Sequence, residues 1–330
     1  MTALAQRIAT APPARAEAAG SRALPVTLNH VDPTAWDDLA ATFRGLCQEQ
    51  LMAFAGVRWS KTAPEPVSFS SNGEIVGGAL VIVKKLPFGV GAVAISKWGP
   101  MLADTTRPDA LDVYAAMVEA LIEEYAVQRG MMLSLLPIAS VEAGNAEYEF
   151  LAVRGFRAGV LLNYPLRYIV KLRLSDAEQR KSLEQKWRYQ LGKAEKQGLA
   201  FEHGGAERLA EFTALYTRML ERKKFADHSA YKTIPHLMRL GHANARPELF
   251  FVRKDGEVVA GAIIFKGGDR AVYLYGATLD EALAFARELA AVNPGGAYEL
   301  RPIQLYLPGA PIDGAYAATR EYAGDKVVAK

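Results

Sequence analysis

Residues 72–83 read NGEIVGGALVIV and residues 255–265 read DGEVVAGAIIF. Asn-Gly and Asp-Gly are two-residue hairpin turns, because both central positions need positive φ. Each turn is followed by Glu and then by a β-branched run. Small residues fall at matching places in the two runs, Gly78-Ala79 in the first and Gly261-Ala262 in the second. An apolar strand precedes each turn, PVSFS at 66–70 and LFFVR at 249–253. Another follows, VGAVAIS at 90–96 and AVYLYGA at 271–277. Three antiparallel strands around one tight turn therefore occur twice, and the shared G-E-[IV]-V-x-G-A string at the same phase predicts two copies of one domain.

The flanking segments fit that duplication. Trp36, Leu39, Ala40, Phe43, Leu46 and Leu51 fall on a helical period, which predicts one helix over 34–55 opened by Asp32-Pro33. A second helix is expected over 108–129, from Pro108 to Gly130, then a buried strand at 131–137 and a helix over 146–156. Domain 2 opens with an alternating strand at 166–174. Ser175 with Glu178 three residues on makes a capping box for a helix over 176–197. Further helices are expected at 206–224 and 229–241, before the repeated hairpin. The reading is an α+β chain of two tandem domains, 26–160 and 161–330, each with a mixed, mainly antiparallel sheet flanked by helices. Residues 1–25, rich in Ala, Pro and Arg, read as a disordered tail without a secretory pattern.

Composition narrows the function classes. The chain has 330 residues, half of them hydrophobic, and a net charge of +3, too mild by itself to indicate a polyanion partner. The single Cys47 cannot form an internal disulfide, which fits a reducing cytoplasm; in GLCQEQL it reads as a small buried apolar residue. No apolar run has the length of a membrane helix. The five histidines (30, 203, 228, 236 and 242) show no metal-ligand spacing, and no Ser-His-Asp or Cys-His set stands out.

A small-residue hairpin, a strand, a helix and a strand leading to "RGF" look like an acyltransferase domain of the GNAT type. Two in tandem, with a basic helix opening the second, resemble the Fem family of bacterial peptidyltransferases. The residues that carry the resemblance are SKWGPM at 96–101, KWRYQLGKAEKQGL at 186–199, LYTRMLERKKF at 215–225 and GEVVAGAIIFKGGDRAVYLYGAT at 256–278. They span roughly residues 30–278, and their order is more specific than any one of them. The long coiled-coil arm of some members is absent. Where some relatives carry an Arg after the Glu-Arg helix, this chain has DHSAYK at 227–232, and 279–330 departs from the family's usual closing strands.

The resemblance implies transfer of an aminoacyl or acyl group to an amine of a nucleotide- or lipid-linked cell-wall precursor. The donor would be aminoacyl-tRNA, or acyl-CoA in an alternative N-acyltransferase reading in exopolysaccharide or amino-sugar metabolism. A third reading is a catalytically weak binding homologue. No bound cofactor and no metal are expected, and a lipid-linked substrate would bring peripheral membrane contact. In the family, tyrosines on the strand after the hairpin and beyond the Glu-Arg helix hold the acceptor's phosphates, and Tyr231, Tyr273 and Tyr275 match them. His228 and Lys232 lie in the same stretch, and Lys61 matches a phosphate-binding Lys of domain 1. Tyr273 and Tyr275 alternate on a strand and are expected on one face. No Arg/Gln-x-x-Gly-x-Gly/Ala pyrophosphate loop appears in either half.

Residues 171–200 hold eight Lys/Arg against four Asp/Glu. On a helix, Leu183, Trp187, Leu191 and Ala194 make one apolar stripe, with Lys186 and Lys193 on one flank and Arg188 on the other. Two readings stay open: a helix packed by its stripe with a solvated basic rim, or a phosphate-contacting surface for tRNA or a nucleotide-linked substrate.

Overall fold

A computed structural model describes residues 24–138, 144–157, 174–223 and 230–279. The first 23 residues of the expected tail, the domain junction, most of the strand expected at 166–174, His228 and everything after Leu279 lie outside the described residues.

The first domain begins with β1 (Thr27–His30), α1 (Pro33–Ala40) and α2 (Met52–Arg58). Asp32 caps α1 by accepting the Thr34 N–H at 2.7 Å. The single helix expected over 34–55 does not form. Gly45 turns the chain at φ 73°, and the Asp37 carboxylate on α1 accepts the Met52 and Ala53 N–H groups at 2.6 and 2.9 Å. An acid on one helix thus caps the next. The helical spacing nevertheless marks the core, since Trp36, Phe43, Leu46 and Leu51 are all fully buried. They reach it from two short helices and the loop between them.

The sheet follows as β2 (Ala63–Ser71), β3 (Glu74–Lys85), β4 (Ala92–Lys97), the short β5 (Met101–Leu102) and, after α3 (Ala110–Leu121), β6 (Met132–Leu136). A π-helical turn over 122–128 completes the helix expected at 108–129. Strand order is β1-β2-β3-β4-β6, with β5 beside β3. Only β4 and β6 run parallel, paired from Val93↔Met132 to Lys97↔Leu136. Helix α4 (Ala146–Val153) is held at its start by Asn145, whose side chain accepts the Tyr148 N–H.

The second domain contributes α5 (Asp176–Ser182), α6 (Gln185–Ala194), β7 (Ala200–Gly204), α7 (Leu209–Lys223), a 3-10 turn at 231–233, α8 (Ile234–Leu237), β8 (Ala245–Lys254), β9 (Glu257–Gly267) and β10 (Arg270–Thr278). The capping box at Ser175–Glu178 is present. The helix expected over 176–197 is broken at Leu183, which is extended at ψ 146°. The helix expected over 229–241 is reduced to the 3-10 turn and α8. The strand order β10-β9-β8-β7 is antiparallel throughout.

The two hairpins agree in detail. Asn72-Gly73 has φ 51° and 84°, and Asp255-Gly256 has φ 51° and 86°, so both are tight turns with two positive-φ residues. Each hairpin then carries a bulge at the same place. Pairing jumps from Ser70↔Ile75 to Phe69↔Gly77 in one and from Arg253↔Val258 to Val252↔Ala260 in the other. Val76 and Val259 are the extra residues.

Two main apolar layers result. One face of the first sheet packs Val67, Phe69 and Val81 on Val113, Tyr114, Met117 and Leu121 of α3. On its other side lies a core common to both domains, where Trp36, Phe43, Leu51 and Phe54 join Phe212, Leu249, Phe251, Ile263 and Phe265. The Gly45 N–H donates to Asp269 Oδ1 at 2.7 Å, tying the first domain to the β9–β10 turn of the second.

Candidate functional site

α7 meets the 231–233 turn and β10 through a tyrosine cluster. Phe212 and Tyr216, one helical turn apart, present their rings on the buried side of α7. Tyr231 stacks on Tyr216 with ring centres 4.3 Å apart. Tyr275 stands edge-on to both, 5.8 Å from Tyr216 and 5.2 Å from Tyr231. The Tyr231 hydroxyl lies 2.9 Å from Thr213 Oγ1. Tyr216 is buried, whereas Tyr231 and Tyr275 are part-exposed. The cluster therefore has a fixed aromatic floor and a polar rim.

A bulge brings Tyr275 there. Pairing of β10 with β9 shifts between Tyr273↔Ile264 and Tyr275↔Ile263. Directly paired residues share a face, and Ile263 and Ile264 are adjacent, so the two tyrosines point to opposite faces. The expectation that they share one face is overturned by this inserted residue, Leu274. Val272, Leu274 and Tyr275 all pack on the common core, while Tyr273 takes the outer face, where burial pushes its hydroxyl up to about 12. Of the three tyrosines read from the sequence, Tyr231 and Tyr275 come together and Tyr273 does not join them. Lys232, next to Tyr231, is exposed.

The first domain packs on the same cluster. α2 packs against the 231–233 turn and α8, so Trp59, just after α2, enters the same apolar cluster as Tyr231 and Tyr275. Lys61 follows two residues later and is exposed. Lys97, at the end of β4, lies 5.7 Å above the Trp59 ring. It pairs with Glu49, whose other carboxylate oxygen accepts the Trp98 indole N–H at 2.6 Å. Gln50, fully buried, accepts the Leu80 N–H at 2.7 Å and donates to the Lys97 carbonyl. Lys97 is thus a cation held in place by a largely buried polar set.

Sequence reasoning did not assign Thr213, Tyr216, Glu49 or Lys97 to the site, although Tyr216 and Lys97 lie inside two of the quoted motifs. The i, i+4 aromatic spacing of Phe212 and Tyr216 carries a signal for one of them. Pairing of Glu49 with Lys97 is a long-range contact without any local signature.

The basic helix departs from the packed-stripe reading. Arg188 turns its guanidinium back onto the carbonyls of Lys181 and Leu183, and Lys193 lies 4.8 Å above the Tyr189 ring. Lys186 is exposed. The apolar stripe is not packed by the described residues: Leu183, Trp187 and Leu191 are exposed.

The site's chemistry is that of positioning. Phenol hydroxyls can donate to phosphate or carboxylate oxygens, and a lysine ammonium group can neutralise their charge. Among the described residues no group of three His, Cys, Asp or Glu could hold a metal ion.

Comparison with known proteins follows the same lines. Residues 177–293 match the family model described as Acetyltransferase (GNAT) domain. The crystal structure of FemX superposes with a TM-score of 0.59 at 18% identity, covering 79% of this chain and 83% of that one. A tandem GNAT protein from the clavulanic acid biosynthesis pathway covers 82% of this chain and 87% of its own, at 16% identity and a TM-score of 0.33. An uncharacterised protein of Rhizobium meliloti (strain 1021) is 62% identical over 34 residues, 10% of this chain and 27% of that protein. The class is therefore a GNAT-type acyltransferase fold in two tandem domains. The chain shares the fold of FemX over 79% of its length.

Proposed function

We propose that the chain transfers an aminoacyl group from aminoacyl-tRNA to an amine of a nucleotide- or lipid-linked cell-wall precursor, in the cleft between its two domains. The observation that supports this reading is the packing of Tyr231 with Tyr216, Tyr275 and Thr213 in one cluster with Trp59, where aromatic side chains of both domains meet. Hydroxyls beside aromatic rings, with Lys97 over Trp59, suit an acceptor bearing phosphates.

The reaction needs little from side chains beyond placement. The acceptor amine, once it has lost a proton, attacks the ester carbonyl carbon of the donor. A C–N bond forms, the C–O ester bond breaks, and the departing ribose oxygen takes up a proton. The developing oxyanion needs N–H donors. A substrate carboxylate can take the amine's proton.

The experiment is a transfer assay with charged tRNA and a nucleotide-linked peptidoglycan precursor, run beside acetyl-CoA with amino-sugar acceptors. Label passing from tRNA to the precursor supports the proposal. Transfer only from acetyl-CoA replaces it with an N-acyltransferase, and tight precursor binding without turnover replaces it with a binding homologue.

A further inference from the structure

α6 carries an exposed apolar surface. Trp187 and Leu191 lie one turn apart on it, and Leu183 precedes them at the break from α5. Their exposures are 54%, 37% and 36%, and Tyr189 reaches 56%. Side chains of this kind normally go inside, and a cluster of them on one short helix marks an interaction surface. The helix itself, QKWRYQLGKA, carries three cations and no anion. On a helical projection Lys186 and Lys193 flank the Trp187–Leu191 stripe on one side and Arg188 flanks it on the other. Lys181 and Lys196 extend the positive charge beyond both ends, against Glu184 and Glu195.

From this arrangement we infer that α6 is a docking surface for an anionic lipid bilayer, with Trp187 and Leu191 entering the interface and the flanking lysines meeting the headgroups. A stripe bordered by cations on both sides is the layout of a helix lying in an interface. Lysine stems reach out of the apolar layer to place their charge among headgroups, and an indole with its N–H suits the same depth. An RNA backbone would engage the cations but leave Leu183 and Leu191 in water. Arg188, turned onto the Lys181 and Leu183 carbonyls, fixes the α5–α6 corner that holds Leu183 beside the stripe. This inference stands independently of the chemistry proposed for the cleft, and its test reads binding alone.

The test is flotation of the full chain with vesicles of phosphatidylcholine, with and without phosphatidylglycerol, alongside acrylamide quenching of Trp187 in a variant whose Trp36, Trp59 and Trp98 are replaced by Phe. Anionic vesicles are expected to retain the native chain and neutral ones to release it. Salt should weaken the retention. Trp187→Ser with Leu191→Ser, and separately Lys186→Glu with Lys193→Glu, should each lower retention about tenfold or more. Trp187, Leu191 and Lys186 are exposed and Lys193 is half-buried on the helix surface, so an unchanged circular dichroism spectrum is expected, and the charge-reversal pair keeps the test valid if the serine pair misfolds. Vesicles should shield Trp187 from acrylamide. Equal binding to neutral and anionic vesicles, no binding to either, or Trp187 already shielded without vesicles would overturn the inference. Binding of bulk tRNA that is lost in the lysine pair, without vesicle retention, would replace it with an RNA surface.

Discussion

Gly78 and Gly261 occupy the same position in two hairpins and do the same work. A Cβ on Gly78 would stand 2.5 Å from Phe43 Cε2 and 2.9 Å from Trp36 Cη2, and one on Gly261 would stand 3.1 Å from Phe212 Cδ2. In each domain the missing side chain lets an aromatic ring, carried by the segment before the hairpin, lie flat on the sheet. The duplication extends from the turn through the bulge to the ring over the glycine.

The two positions differ in tightness, which gives a graded expectation. Gly78→Ala should destabilise by roughly 1–3 kcal/mol, because two buried rings and the Val67 carbonyl must move together. Gly261→Ala should cost about 1 kcal/mol or less, since a shift of a few tenths of an ångström suffices and the unfolded chain loses entropy. Chemical denaturation of both variants measures the difference. Equal losses would show that the rings do not set the cost.

Tyr231→Phe should keep the stack on Tyr216 and remove only the hydroxyl beside Thr213. Stability should fall by about 1 kcal/mol or less, while transfer or precursor binding falls roughly tenfold, the scale of one lost hydrogen bond to a charged group. Tyr231→Ala should lose both. Titration of precursor binding, paired with thermal melts, separates the two. Full binding by the Phe variant would remove the hydroxyl from the site.

Glu147, at the start of α4, is raised to about 7 by burial, with the Ile138 N–H and the Arg270 charge opposing that shift. A carboxyl whose folded value lies above its ordinary one binds more protons in the folded state. Stability should therefore fall as pH rises from about 4.5 to about 7. Glu147→Gln keeps an acceptor for Ile138 and carries no charge. It should stabilise the chain at pH 8 by roughly 1–2 kcal/mol and have little effect at pH 4. Urea melts across that range check the slope, and a variant indistinguishable from native at pH 8 would refute it.

Asp269→Ala removes the acceptor for the buried Gly45 N–H. A loss of roughly 1–2 kcal/mol is expected, and the two domains should unfold less cooperatively because this bond crosses between them. Calorimetry would show a broadened or split transition. A single sharp transition at the native temperature would mean that the shared apolar core alone couples the domains.

The hairpins were legible because their information is local. Asn72-Gly73 and Asp255-Gly256 set turn type through backbone sterics alone, and the β-branched runs beside them alternate as any half-buried strand does. Tyr231 and Tyr275 came from resemblance, and the fold brought them together. The error over Tyr273 has a physical cause: strict alternation fails wherever a strand takes up an extra residue, and the bulge at Leu274 is fixed by its register against Ile263 and Ile264.

Sequence alone determined that this chain repeats one domain, where its tight turns fall, and which side chains near Trp36 and Phe43 seek the core. Tertiary structure decided the rest. The apparent helix over 34–55 became two, because Asp37 gains more by capping α2 than the loop would by staying helical. Glu49 found Lys97 across 48 positions of chain, a pairing that no local spacing encodes. On α6, the same periodicity that marked a buried face in α1 left Trp187 in the open, since an apolar stripe states a preference for leaving water and only neighbouring elements decide what meets it.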